Sequence, residues 1–124
     1  MAGKGEEEVV RAFHLMWDSY PEQVRLIDRR YRVVAGNPAY IGAGGQTEVQ
    51  CNVGPAEMHR GCQAMNALRS GETRSVCHQA GDTRVESFWI PVAGEGEYYV
   101  HFTNGLNEVI RKMTEQAAQQ KEQA

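Results

Sequence analysis

The apolar positions of this chain alternate between helical and strand spacing along its length. Val9, Val10, Phe13, Met16 and Trp17 recur at intervals of three and four, which makes one stripe on a helix over residues 6–17. Glu6, Glu7 and Glu8 suit the positive end of that helix, and Asp18-Ser19-Tyr20-Pro21 ends it. His14, between stripe positions, reads as a surface histidine. Val24, Leu26 and Ile27 then form a short branched apolar run, broken by Asp28-Arg29-Arg30 and resumed by Tyr31, Val33 and Val34. This pattern predicts two strands joined by a tight polar turn. Asn37-Pro38 is a helix N-cap followed by proline at the first helical position, and it predicts one helical turn over 38–41, closed by Gly42, Gly44 and Gly45.

The stretch from Gln46 to Gly61 is irregular, broken by Gly54, Pro55 and Gly61. Cys62, Met65 and Leu68 then recur at threes, which predicts a helix over 62–69 with Gly71 at its C-terminal cap. Strand-like runs follow at 73–79, 84–92 and 98–103, separated by Ala80-Gly81-Asp82 and by Ala93 to Gly96. Short glycine turns between them imply an antiparallel meander. The last segment, 106–124, is a polar helix in which Leu106, Ile110, Met113, Ala117 and Gln120 follow a heptad spacing. It reads either as a frayed tail or as a helix that pairs with its copy.

The succession Leu26-Ile27-Asp28, then Val34 through Tyr40 with its Asn-Pro-Ala-aromatic step, resembles the opening of a PAS domain. Leu68, Gly71 and Glu72 stand where that family carries a Leu-x-x-Gly-Glu signature before its third strand. The resemblance spans 23–105 and implies an α+β fold. The fold would be a five-stranded antiparallel sheet in the order 2-1-5-4-3, with short helices on one face. Residues 1–22 would be a flanking N-terminal helix and 106–124 a signalling-type C-terminal helix. Where the family usually carries Asp-Ile-Thr after its last strand, this chain reads Asn104-Gly105-Leu106-Asn107-Glu108, so Asn104 or Asn107 is expected to cap the final helix.

The resemblance implies a sensory or regulatory role in a bacterial, cytoplasmic signalling protein, acting on an effector domain or partner protein through the terminal helices. It places a ligand pocket between the sheet and the 62–69 helix, lined by Met65 and Leu68 from the helix and by Val100 and Phe102 from the sheet. Tyr99 and His101 would then face outward on the uncovered sheet surface. One of Phe88 and Trp89 would join them, since the two point to opposite faces. Val9, Val10, Phe13 and Trp17 before the sheet, and Leu106, Ile110 and Met113 after it, are expected to form a parallel homodimer. The alternatives are a dimerisation module with a filled core and no ligand, and a haem or metal redox sensor.

Composition narrows this picture without changing it. One domain is expected for 124 residues, and 41% hydrophobic content suits a modest core. A net charge of −3 and a pI of about 5.8 leave no electrostatic footprint of nucleic-acid binding. No apolar run approaches the roughly 18 residues of a membrane span, and Glu6 to Glu8 sit where a leader peptide would need its apolar core. There is no phosphate-binding glycine loop, nucleophile elbow or His-Glu-x-x-His, so no enzyme is expected.

Soft and imidazole side chains do concentrate in the middle third, at Cys51, His59, Cys62, Cys77 and His78. Such groups suit zinc, haem iron or an iron–sulfur cluster. Three unevenly spaced cysteines without Cys-x-x-Cys match no standard metal site or disulfide framework, and a chain without cofactor is the first expectation. Haem-binding PAS domains hold iron through a histidine on the helix before the third strand, and His59 lies just upstream of that helix. Cys51 and Cys62 resemble the extra cysteines that some bacterial PAS domains carry in this region.

Overall fold

The computed structural model describes residues 5–51, 61–94 and 96–123. The element order is α1 (Glu6–Trp17), β1 (Val24–Asp28), β2 (Val33–Gly36), α2 (Pro38–Gly42), α3 (Ala64–Ser70), β3 (Arg74–Ala80), β4 (Thr83–Pro91), β5 (Tyr98–Asn104) and α4 (Leu106–Gln123). The strands form one antiparallel sheet in the order β2-β1-β5-β4-β3, as expected.

Local chemistry explains the first hairpin. The Asp28 carboxylate accepts from the backbone N–H of Arg30 at 2.8 Å and of Arg32 at 3.0 Å, which folds the polar turn. Asn37 does more than cap α2. Its Oδ1 accepts from Tyr40 N at 3.1 Å and from Val24 N at 2.9 Å. Its Nδ2 donates to the carbonyls of Trp17, Tyr20 and Glu22. One fully buried amide therefore joins the end of α1, the following linker, β1 and α2. Full use of its donors and acceptors is what makes burial of this polar group tolerable.

The sheet is covered on both faces, and the two covers differ. On one face the stripe of α1 buries Val9 and Phe13 against Val24, Leu26, Val34, Ala35, Val100 and Phe102. On the other, Ala64 and Ala67 of α3 pack on Ile27, Val33, Trp89 and Tyr99. Helix α3 starts at Ala64 and not at residue 62, and its seam is the alanine pair, with Met65 and Leu68 only partly buried. Small side chains let the helix lie close on the sheet.

This arrangement overturns the expected faces of β5. Val100 and Phe102 point at α1, while Tyr99 and His101 point to the side of the short helices. The apolar stripe of α1 packs on the face that carries Val24, Leu26, Val100 and Phe102, and strand alternation sends their neighbours to the other side.

The start of α4 is also built differently from expectation. Glu22 reaches from the α1–β1 linker and accepts from Gly105 N and Asn107 N, each at 2.8 Å. Its charge thereby caps the positive helix end. Asn107 donates to the Pro21 carbonyl at 3.0 Å, and Asn104 accepts from the Tyr20 hydroxyl, so neither asparagine is the cap. Gly105 is required at this corner. Its φ is +96°, and a Cβ there would stand 2.9 Å from the Arg84 carbonyl oxygen. Among the described residues no helix is long and apolar enough to cross a membrane.

Candidate functional site

Alanines at α3 cover only part of the inner sheet face, and a groove of about 420 Å³ runs over the remainder. Its floor is set by strand register. Arg25 of β1, His101 of β5 and Trp89 of β4 lie opposite one another in one row. Thr103, Ser87 and Val76 form the next. Cys51, Gly61 and Cys62 border the groove from the segment before α3, and Leu106 and Val109 border it from α4.

The polar groups of this floor are specifically arranged. His101 Nδ1 lies 2.8 Å from the Phe88 carbonyl oxygen, an acceptor only, so the proton sits on Nδ1 and Nε2 keeps its lone pair. The ring stacks on Trp89, with centroids 4.8 Å apart and planes 13° apart. Burial first, then the Arg25 charge, push the His101 pKa down to about 4, so the imidazole is neutral at pH 7. Ser87 Oγ and Thr103 Oγ1 are 2.8 Å apart and share a hydrogen bond. Cys51 Sγ is 3.9 Å from the Tyr99 hydroxyl, and burial raises the pKa of both groups.

Arg25 is partly buried at the groove, with its guanidinium 5.9 Å from the centroid of the Tyr40 ring. Among the described residues it has no carboxylate within ion-pair distance, and no Asp or Glu lines the groove. A larger cleft of about 670 Å³ beside the first hairpin contrasts with this. There most of the charges satisfy one another: Arg32 pairs with Asp28, Glu48 and Glu6, and Arg29 with Glu97, while Arg30 is solvent-exposed. In the groove, by contrast, a partly buried guanidinium and the His101 Nε2 lone pair meet no charged or hydrogen-bonding partner among the described residues.

The sequence-derived pocket residues do not meet. Met65 and Leu68 line a separate hollow of about 200 Å³ with Arg29, Arg69 and Gly96. Val100 and Phe102 are under α1, on the far side of the sheet. The thiol and imidazole candidates also divide. Cys51, Cys62 and His78 border the groove, whereas Cys77, opposite Glu86, points to the other face. His59 lies outside the described residues. Among the described residues, no three of His, Cys, Asp and Glu converge in a way that holds a metal ion.

The expected dimer residues separate in the same way. Val9 and Phe13 are buried in the chain's own core, with Val10 and Trp17 packed at its edge, so this stripe is not free for a partner. Leu106 borders the groove, and Ile110 and Met113 are exposed. Of the groove residues, sequence reasoning passed over Arg25, Ser87 and Thr103, and it set His101, with one of Phe88 and Trp89, on an uncovered sheet surface. The available signal was parity: Arg25 alternates with Val24 and Leu26, so it shares a face with Ile27.

A scan of the chain against protein-family models finds no match, and neither does a comparison with curated protein sequences. Solved structures do match. The PAS domain of Bordetella pertussis BvgS aligns with a TM-score of 0.60 at 17% identity, over 90% of this chain and 98% of that one. Strand order, inserted short helices and flanking helices agree with that fold.

Proposed function

We propose that this chain, which has the PAS fold, is the sensory or regulatory module of a bacterial, cytoplasmic signal-transduction protein. In this reading a small ligand occupies the groove over Arg25, His101 and Trp89, and the position of α4 reports its presence to an effector domain or partner protein. The observation that carries the reading is that Leu106 and Val109 of α4 are themselves groove wall. A ligand touching them binds unequally to two positions of the helix, and that difference is all a population shift requires. Glu22 ties the start of α4 to the linker after α1, so both terminal helices meet at one corner. The reading assigns binding, not catalysis, and needs no metal or cofactor.

A homodimer accompanies it, formed through the exposed side chains Ile110 and Met113 of α4 and Leu15 and Met16 of α1, and not through the buried α1 stripe. The decisive experiment is a melting-temperature screen of small molecules, followed by amide hydrogen exchange of the chain with and without each hit. Altered protection across the first two turns of α4 is expected. Exchange over 106–113 that is unchanged while a ligand sits in the groove overturns the coupling.

A further inference from the structure

Resting on the groove reading above, we propose that the ligand is a small organic carboxylate that also carries a hydroxyl or amine hydrogen-bond donor. Its carboxylate would pair with Arg25, and its donor would bind His101 Nε2. The first half follows from charge. Arg25 is drawn partly out of water at a groove that, among the described residues, has no acidic side chain to meet it. A partly buried guanidinium gains from an anionic partner, and its planar fork matches a carboxylate with two parallel hydrogen bonds.

The second half follows from the tautomer. With Nδ1–H committed to the Phe88 carbonyl, His101 offers the groove a lone pair and no proton. The low proton affinity of this ring keeps it so at neutral pH, which makes it an acceptor that selects for a donor on the ligand. The row geometry sets the two groups side by side, since Arg25 and His101 are direct cross-strand partners. Cross-strand neighbours lie about 5 Å apart at Cβ. The ligand's donor and its carboxylate therefore address two adjacent floor positions. The rest of the molecule lies against Val85, Leu106 and Val109, which gives the ligand an apolar body.

The test is calorimetric titration of the full chain with a matched set: para-hydroxybenzoate, its uncharged amide para-hydroxybenzamide, and benzoate, which lacks the hydroxyl. The hydroxy acid should bind about tenfold or more tightly than the amide, the size of one charge-assisted hydrogen bond, and about threefold to tenfold more tightly than benzoate, the size of one neutral hydrogen bond. Arg25→Gln should abolish the preference for acid over amide, and Arg25→Lys should keep part of it. His101→Phe should abolish the preference for hydroxybenzoate over benzoate while leaving acid over amide in place. Circular dichroism and melting curves establish that each variant is folded. An amide that binds as tightly as the acid overturns the ligand class, as does an acid preference that survives Arg25→Gln or absence of binding by the whole set. Binding that persists unchanged in a folded Val109→Trp protein lies outside the groove and overturns both this proposal and the reading it rests on.

Discussion

The two faces of the sheet are packed to different ends. Under α1 the side chains are almost wholly hydrocarbon, and rings dominate. Phe102 touches Trp17, Tyr20 and Phe88, with centroids 5.1–5.4 Å apart. Under α3 a pair of alanines makes the contact, and beyond them the sheet presents Arg25, Ser87, His101 and Thr103 to a groove. A dense aromatic layer contributes folding free energy through area burial and ring geometry, and it leaves no room for a ligand. A thin cover with polar floor groups contributes less and leaves space. The difference teaches that one face holds the domain together while the other is free to carry specificity.

The largest effect tests the packed face. Phe102→Ala should cost about 3–5 kcal/mol in urea unfolding, as aromatic truncations in a closed core do. It should leave the groove's binding per folded molecule unchanged. A cost below about 1 kcal/mol would show that α1 is a loose cover and would erase the contrast between the faces.

An intermediate effect comes from the groove face through pH. His101 titrates at about 4 in the folded chain against 6.5 in the reference state, so the unfolded chain binds the extra proton first. Stability held above about pH 6.5 is therefore lost as pH falls toward 4, by up to about 3 kcal/mol. The Arg25 charge adds to the effect of burial. Comparing wild type with His101→Gln isolates this slope from the carboxylates that titrate lower in the range. Parallel stability curves for the two proteins would mean that His101 is open to water.

The smallest effect on the fold concerns neither face. Ile110 is 45% exposed on α4, so Ile110→Glu should change monomer stability by less than about 0.5 kcal/mol. The same change should weaken self-association in sedimentation at micromolar concentration. A wild-type chain that sediments as a monomer at high concentration would remove α4 as an assembly surface.

Much of this architecture is local and was legible in the residue order. The Asn37-Pro38 cap, the Asp28 turn, the glycine-punctuated strands and the stripe of α1 each follow from near neighbours: φ preferences, side-chain-to-backbone hydrogen bonds and apolar period. Local pattern by itself implied only the antiparallel meander of the last three strands, and the full sheet order came from the resemblance to the PAS family that the succession carries. Which face of the sheet receives which helix was not local. On β5 both parities look core-like, Val100 and Phe102 on one side and Tyr99 on the other, and both are buried. Alternation says only that they part company. The choice belonged to the tertiary structure, because it depends on matching the wide stripe of α1 and the narrow alanine seam of α3 to opposite surfaces at once. For the same reason the row of Arg25, His101 and Trp89 exists only across three strands, and the Glu22 cap on Gly105 and Asn107 only where chain ends far apart in sequence are folded together.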